Sequence, residues 1–348
     1  MVFSPRDGRY VFEMNSINED GLSSNTASFN ILIKKPVWRT WWFLSLLFLT
    51  IALAVFLIIR EREKKQKEIE EYLKTELEKR TKEVKRQKEE IEAQNVEITD
   101  SINYAKRIQN SILPDTNKLS DVFKDSFVFF LPRDIVSGDF YWFDTIDDDK
   151  FILVCADSTG HGVPGAFMSM IGVTLLQDII TRQRKTNPAE ILGVLDEHIF
   201  HTLNQNSESG VTTNDGMDMV VCEIDLKTKR LRFASAMRPV ILKTGGESLY
   251  VRGDRCAVGG GSSNEKFFSV QEFYLSEGDA LYLFSDGLPD QFGGPNNKKL
   301  KIHRMKQLLE NVYDKSMSEQ REIIKNFYEE WRGDYEQVDD ILLIGVRF

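Results

Sequence analysis

The chain has 348 residues, of which 28% are charged, and a formal net charge of −9 at pH 7. This length allows one or two domains with attached segments, and the acidic balance argues against a nucleic-acid-binding protein, which would carry a basic face. The three cysteines show no C-x-x-C spacing, which argues against a disulfide framework or a cysteine-based zinc site.

Residues 1–36 contain two strand-like segments, GRYVFEMNSI and ASFNILIKK, on either side of the turn NEDGLSSN. An isolated two-stranded hairpin cannot bury a core. We therefore expect this segment to be the tail of a larger extracytoplasmic β domain whose preceding part lies outside the chain. Together with the following KKPVWRTWW, it resembles the end of the Tyr-rich β-sandwich that precedes the membrane span in propeller-type bacterial sensors.

Residues 37–60 are predicted to form a transmembrane helix. The run at 41–59 carries no charge and is close to the ~20 residues that cross a bilayer. Tryptophans lie at one end, as in an aromatic belt, and basic residues are more numerous after the run than before it. A buried core helix is the alternative. We expect a single-pass protein of the inner (cytoplasmic) membrane, with everything after residue 60 in the cytoplasm.

Residues 61–113 are predicted to be a coiled-coil signalling linker. Apolar residues recur every seven positions, at Leu77, Val84, Ile91, Ile98, Ala105 and Ile112. This spacing is typical of one seam of a left-handed coiled coil. The second seam is mostly polar, so a solvated spacer helix is the alternative. We expect a parallel homodimer whose marginal packing transmits a signal.

Residues 114–348 are predicted to form an α+β layered domain, because strand runs predominate and the helices occur in separate pairs. The strand-like runs are FVFFL, FYWF, FILVCAD, MVVCEID, LRFASAM, PVILKT, FFSVQEFYL, ALYLFSD and ILLIGVRF. The helical patterns lie at 163 to about 184, after Asn187, and near 303–312 and 317–331.

Aspartates mark the ends of several of these strands. Asp139, Asp157, Asp286 and the pair Asp339–Asp340 each lie at or beside the end of an apolar run. If they meet at one edge, mutual repulsion raises their pKa values unless a cation is bound. Oxygen ligands suit Mg²⁺ or Mn²⁺. An aspartate at a strand end is also a common turn former, so this pattern alone leaves both readings open.

A set of motifs resolves this choice. VSGDFYWF, ADSTGHGVPGAFMSMIG, DGMD, YLFSDGLPDQFGG and DDILLIGVRF occur in this order. The set resembles the SpoIIE-type branch of the metal-dependent protein phosphatases (PPM, or type 2C), and YAKRIQNSILP resembles the linker that leads into such domains. The resemblance implies a layered α-β-β-α sandwich over 114–348 that binds two, or with Asp218 three, Mg²⁺ or Mn²⁺ ions.

The same resemblance assigns the metal contacts. They are Asp139, Asp157, the backbone carbonyl of Ser158, Asp286 and Asp339. Two positions depart from the family pattern, because Ser158 replaces a usual glycine and Leu342 replaces the threonine of D-D-x-T. Neither departure removes a carboxylate.

Three further assignments have a structural alternative. His161 is a candidate general acid or a structural residue at a helix start. Arg133 is a candidate phosphate clamp or an ordinary surface residue, and Asp218 holds a third ion or none. In SpoIIE-type relatives, the helix that follows His161 belongs to a switch that completes the metal site.

The implied function is a membrane-tethered protein serine/threonine phosphatase of bacterial signalling. It would use a metal-bridged hydroxide and act on a phosphoprotein of the anti-anti-sigma (STAS) type. The alternative is a catalytically inactive PPM-fold signalling module. A histidine kinase is disfavoured, since no acidic residue follows a histidine in the 61–113 helix, and a serine hydrolase is disfavoured because G-x-S-x-G is absent.

Overall fold

The computed structural model describes residues 6–123, 125–147, 149–205, 214–260 and 266–348. The chain divides into two compact units, Met1–Ala93 and Gln94–Phe348.

The first unit contains a β-hairpin and most of a long helix. Strands β1 (Gly8–Met14) and β2 (Ala27–Ile33) pair in antiparallel register, with Gly8 opposite Ile33. A 3₁₀ turn at Val37–Arg39 precedes helix α1 (Trp41–Ile112). The hairpin leaves large apolar side chains such as Phe12 and Leu32 exposed. The apolar window of α1 has a mean hydropathy of 2.8 and none of it is buried, so it is long and apolar enough to cross a membrane.

The second unit continues from the end of α1 through the remaining helices and strands. In chain order they are α2 (Asn117–Val122), β3 (Asp125–Leu131), β4 (Phe140–Asp147), β5 (Lys150–Ser158), α3 (Gly162–Gln177), α4 (Pro188–Thr202), β6 (Gly216–Asp225), β7 (Arg230–Ala236), β8 (Val240–Thr244), β9 (Glu247–Val251), β10 (Val258–Gly259), β11 (Gln271–Tyr274), β12 (Ala280–Phe284), α5 (Gly287–Asp290), β13 (Phe292–Gly293), β14 (Lys298–Lys299), α6 (Lys301–Val312), α7 (Met317–Arg332) and β15 (Ile341–Arg347). A π-helical turn at Asp178–Arg182 follows α3 directly.

These elements form four layers. One sheet has the strand order β11-β7-β6-β5-β4, with β10 also paired to β6, and the other has the order β3-β15-β12-β8-β9. Residues of α3 and α4, such as Leu176 and Leu195, pack on the first sheet, and Met305 and Ile324 of α6 and α7 pack on the second. A third cluster lies between the sheets. The predicted α-β-β-α sandwich is therefore confirmed.

One predicted strand is shorter in the structure, and the edge of the second sheet has a strand that was not predicted. The strand predicted at 267–275 is shorter in the structure and covers only β11. Among the described residues, those before β11 are bonded to a side chain and not to a neighbouring strand: the Ser269 backbone N–H donates to Asp254 Oδ2 at 2.6 Å. Strand β9 was not predicted. It is a short, half-exposed edge strand that pairs with β8. The turn that connects the two strands is Gly245–Gly246, whose φ angles of +57° and +85° suit a tight hairpin.

Three glycines allow the loops around the β5–α3 connection to touch. A Cβ atom on Gly165 would lie 2.3 Å from the Gly160 carbonyl oxygen and 2.9 Å from the Gly138 Cα. Gly160 itself has a φ of +85°, a conformation that glycine adopts readily. The start of α3 is therefore packed directly against the loop that leads to Asp139.

We expect Gly165→Ala to lower the free energy of unfolding by about 1–3 kcal/mol, because the added methyl group must displace backbone atoms. The matched control is Gly193→Ala in α4, where an added Cβ meets nothing within 4 Å. The control should raise stability by about 0.5–1 kcal/mol. Urea denaturation of the purified chain measures both values, and equal stability of the two variants would contradict the packing argument.

Candidate active site

The ends of four strands bring the predicted aspartates together. In the first sheet, Asp157 of β5 lies directly opposite Asp218 of β6 in the antiparallel register. In the second sheet, Asp286 follows β12 and Asp339 precedes β15, and these two strands pair with each other. All four side chains line one cavity of about 340 Å³. Ser158 and His161 also line it.

Asp139 is not among the residues that line this cavity; it is 2% exposed and lies close enough to Asp157 and Asp339 to feel their charges. Its Oδ2 atom has no hydrogen-bond partner among the described residues. Burial, and then the negative charge of Asp157, hold the pKa of Asp139 well above its usual range. A buried carboxylate of this kind needs either a proton or a cation beside it.

Arg238 is a residue of this cavity that the sequence did not predict. It lies in the turn between β7 and β8, and its Nη2 atom is 2.8 Å from Asp157 Oδ2, 2.9 Å from Asp286 Oδ2 and 3.2 Å from Asp218 Oδ2. Burial opposes its charge, but these carboxylates raise its pKa above the ordinary value. Its position could have indicated a place at the site, because it comes just after the strand run LRFASAM, at the same sheet edge as the aspartates.

The remaining carboxylates are also perturbed. Burial raises the pKa of Asp157 to about 7, even though Arg238 acts in the opposite direction. Burial likewise raises the pKa values of Asp218 and Asp339, and the nearby charge of Asp286 adds to both shifts. The cavity therefore holds more negative charge than its one guanidinium neutralises.

The donor chemistry fits a hard divalent cation. The cavity offers carboxylate oxygens with raised proton affinity, and Asp139 offers an oxygen without a partner. Such oxygens are the ligands of Mg²⁺ and Mn²⁺. Within the described ranges, no three His, Cys, Asp or Glu side chains are yet arranged as a closed metal site. Three of the carboxylates instead contact Arg238.

His161 and Arg133, the candidate general acid and the candidate phosphate clamp, have different surroundings. His161 precedes α3, and its Nδ1 atom is 2.8 Å from Oδ2 of Asp134, a residue that the sequence reasoning had not singled out. Arg133 has an exposed side chain that is not part of the cavity lining described above. Its backbone N–H donates to Asp340 Oδ1 at 2.7 Å.

Asp340 fixes the loop before Asp139 by accepting two backbone hydrogen bonds. It is buried, and its second oxygen accepts a 2.8 Å hydrogen bond from the Gly138 backbone N–H. Asp340 thus holds the loop that carries Asp139, whereas Asp339 lines the cavity. Neighbouring residues along an extended chain point to opposite sides, which is why two adjacent aspartates have different roles.

Gln109, near the end of α1, contacts the same loop. Its Nε2 donates to the Ser137 carbonyl at 2.6 Å and to Ser169 Oγ of α3 at 2.8 Å, and its Oε1 accepts from the Ser137 N–H at 3.2 Å. Gln109 is 3% exposed. The last turns of α1 are therefore bonded both to α3 and to the segment two residues before Asp139.

Comparisons with known proteins agree with this geometry. A family model described as Stage II sporulation protein E (SpoIIE) matches residues 147–348. The phosphoserine phosphatase RsbP of Bacillus subtilis (strain 168) is 26% identical over 191 residues, which are 54% of this chain and 45% of RsbP. The chain thus spans less than half the length of this curated relative.

Two solved structures are similar. The SiaA-PP2C domain of Pseudomonas aeruginosa is 30% identical with a TM-score of 0.65, and the match covers 73% of this chain and 98% of that one. The PP2C phosphatase domain of SpoIIE from Bacillus subtilis, with a fragment of its regulatory domain, is 20% identical with a TM-score of 0.52. That match covers 64% of this chain and 63% of the other, and it supports the fold.

In the presence of EDTA, we expect the chain to become more stable as the pH falls from about 8 to about 5. Asp157 has a pKa of about 7 when folded, whereas an unfolded aspartate titrates near ~4. The folded state therefore binds an extra proton between these values, and stability is lost as the pH rises through them. One proton gives a slope of up to about 1.4 kcal/mol per pH unit.

Thermal denaturation across this pH range measures the slope. Asp157→Asn should reduce the slope, because one of the carboxylates with a raised pKa is removed, and Asp144→Asn, at an exposed position on β4, should leave it unchanged. A wild-type stability that increases with pH would contradict the prediction.

Proposed function

Because the chain belongs to the SpoIIE family, whose model matches residues 147–348, we propose that it is a membrane-tethered, metal-dependent protein serine/threonine phosphatase of bacterial signalling. The observation that carries the proposal is the convergence of Asp157, Asp286 and Asp339 on one cavity close to the buried Asp139. A catalytically inactive PPM-fold module is the alternative, and the complete set of carboxylates argues against it.

The carboxylates have a direct role in this proposal. Asp139, Asp157, Asp286 and Asp339 hold two Mg²⁺ or Mn²⁺ ions, with the Ser158 carbonyl as an additional contact and Asp218 available for a third ion. Divalent cations, when bound, supply the charge that acidifies a water molecule and screens a phosphate. The protein positions the carboxylates: they are held at the ends of four strands, and Asp340 holds the loop that carries Asp139.

His161 is our candidate for the proton donor to the departing serine or threonine oxygen. Its ring lines the cavity, and Asp134 accepts the hydrogen bond from Nδ1 at 2.8 Å. This contact holds the ring through Nδ1, so Nε2 is the nitrogen that would donate a proton to the departing oxygen. Arg133, with its exposed side chain, is a weaker candidate for phosphate binding.

The proposed substrate is a phosphoserine or phosphothreonine on a STAS-type protein. The cavity opens to the surface beside His161 and Asp286, whose side chains are 47% and 41% exposed. A phosphorylated side chain on another protein can therefore approach it. The curated relative RsbP is named a phosphoserine phosphatase, which supports this substrate class.

The remaining parts of the chain suit a membrane-bound signalling protein. The apolar window of α1 supports a single inner-membrane span, with the phosphatase domain on the cytoplasmic side where basic residues follow. The exposed apolar residues of the β1–β2 hairpin support its assignment to an extracytoplasmic β-sandwich. Gln109 gives the helical linker a bonded contact with α3 and the Asp139 loop.

We expect Asp157→Asn and Asp286→Asn each to lower Mn²⁺-dependent phosphate release by at least about 100-fold, because each removes a charged metal ligand. Release of phosphate from a purified phosphoserine STAS protein is the measurement. Asp144→Asn serves as the control and should retain wild-type activity. Full activity in both site variants would refute the site, and no wild-type activity on any phosphoprotein would favour the inactive module.

We also expect the linker to form a parallel dimer. Val84 lies on the heptad seam and is 63% exposed in the single chain, so it lacks the apolar partner that a coiled coil would supply. In a Cys256→Ser background, Val84→Cys should form a disulfide-linked dimer on mild oxidation. Glu89→Cys, on the opposite helix face, should not. Equal cross-linking at both positions would indicate random collision.

A further inference from the structure

Arg238 is a permanently charged cation in the cavity lining, and its contacts overlap with the carboxylates assigned above to a metal. Its Nη2 atom contacts Oδ2 of Asp157, Asp218 and Asp286. Building on the function proposed above, we propose that Arg238 is an internal counter-ion that competes with divalent cations for these three carboxylates. The affinity of the site for Mg²⁺ or Mn²⁺ is then set by the displacement of a guanidinium.

The turn that carries Arg238 is held firmly in place. The Met237 N–H donates to the Asp254 carbonyl at 2.8 Å, and the Arg238 N–H donates to the Ala236 carbonyl at 2.7 Å. Met237 adopts a φ of +64°, which a non-glycine residue rarely does. Ser235 Oγ also donates to the Arg238 carbonyl. The backbone is thus anchored, and only the side chain is free to leave the carboxylates.

The guanidinium is held through one nitrogen. All three ion pairs run through Nη2, whereas Nε is buried and has no partner among the described residues. An arginine presents five N–H donors in a planar fork, and here all three carboxylates are contacted by one nitrogen of that fork. The attraction between Arg238 and the three carboxylates is therefore governed by charge more than by a bidentate fit. A divalent cation has a larger charge than the guanidinium and would attract the same oxygens more strongly.

Arg238 also counteracts a repulsion built into the sheet. Asp157 and Asp218 are directly opposite each other in β5 and β6, and like charges at such a pair destabilise a sheet. Arg238 contacts both of them. A cation bound at these Oδ2 atoms would relieve the same repulsion, and its charge would repel a guanidinium held within about 3 Å of the same atoms. Binding of the metal and retention of the Arg238 contacts therefore oppose each other.

The test compares wild type, Arg238→Gln and Arg238→Lys as full chains. The probe is MnCl₂, titrated calorimetrically into protein that has been treated with EDTA and dialysed. We expect Arg238→Gln to bind Mn²⁺ at least about 10-fold more tightly, within the usual range of coupling between sites. Arg238→Lys, with a point charge in place of a planar fork, should fall between glutamine and arginine. Arg252→Gln, at an exposed position, should match wild type.

A second readout is thermal stability. In EDTA, Arg238→Gln should melt below wild type because its carboxylates lose their counter-ion, and Mn²⁺ should raise its melting temperature by more than it raises that of wild type. If Arg238→Gln does not fold in EDTA, the order of Mn²⁺ affinity between Arg238→Lys and wild type decides the question.

The outcomes separate this proposal from the phosphatase function. Unchanged or weaker Mn²⁺ binding by both Arg238 variants overturns the competition, even if the wild type releases phosphate in the presence of Mn²⁺. Mn²⁺ binding by Arg238→Gln without detectable binding by wild type supports competition in its strongest form. Absence of Mn²⁺ binding by every variant overturns both proposals.

Discussion

The site depends on a single electrostatic constraint: several carboxylates of like charge are forced together where two β-sheets end. The antiparallel register puts Asp157 opposite Asp218, and the β12–β15 pair brings Asp286 and Asp339 to the same cavity. Burial raises the pKa of Asp157 to about 7, so the charged form is costly. A proton or a cation beside these oxygens offsets this cost, and Arg238 provides one positive charge.

The surrounding structure keeps the carboxylates from moving apart. Gly138 and Gly165 approach the Gly160 carbonyl too closely to allow side chains, and Asp340 binds the loop that leads to Asp139. Gln109 connects this assembly to the end of α1. The last turns of α1 are therefore part of the hydrogen-bonded surroundings of the Asp139 loop.

Much of the fold was predictable, because its signals are local. Alternating apolar runs identified most strands, the Asn187–Pro188 start identified α4, and the motif order indicated the α-β-β-α sandwich. Strand β9 was missed because a five-residue edge strand buries too little to leave a pattern. The carboxylates of the candidate site were also predicted, since each lies at a strand end. Arg238 and Asp134 were not predicted, and neither were the hydrogen bonds that Asp340 accepts, because nothing in the local sequence shows which distant oxygen or nitrogen a side chain contacts.

The sequence by itself determined the order of the segments, the apolar window, the heptad seam and the identity of the acidic residues, since these follow from residue type and spacing. Tertiary structure alone decided how the charges are balanced. Arg238 meets Asp157, Asp218 and Asp286 only because β7 and β8 belong to different sheets whose edges coincide. Hydrogen bonds and ion pairs act over a few ångströms, so partners far apart in the chain are chosen by the fold.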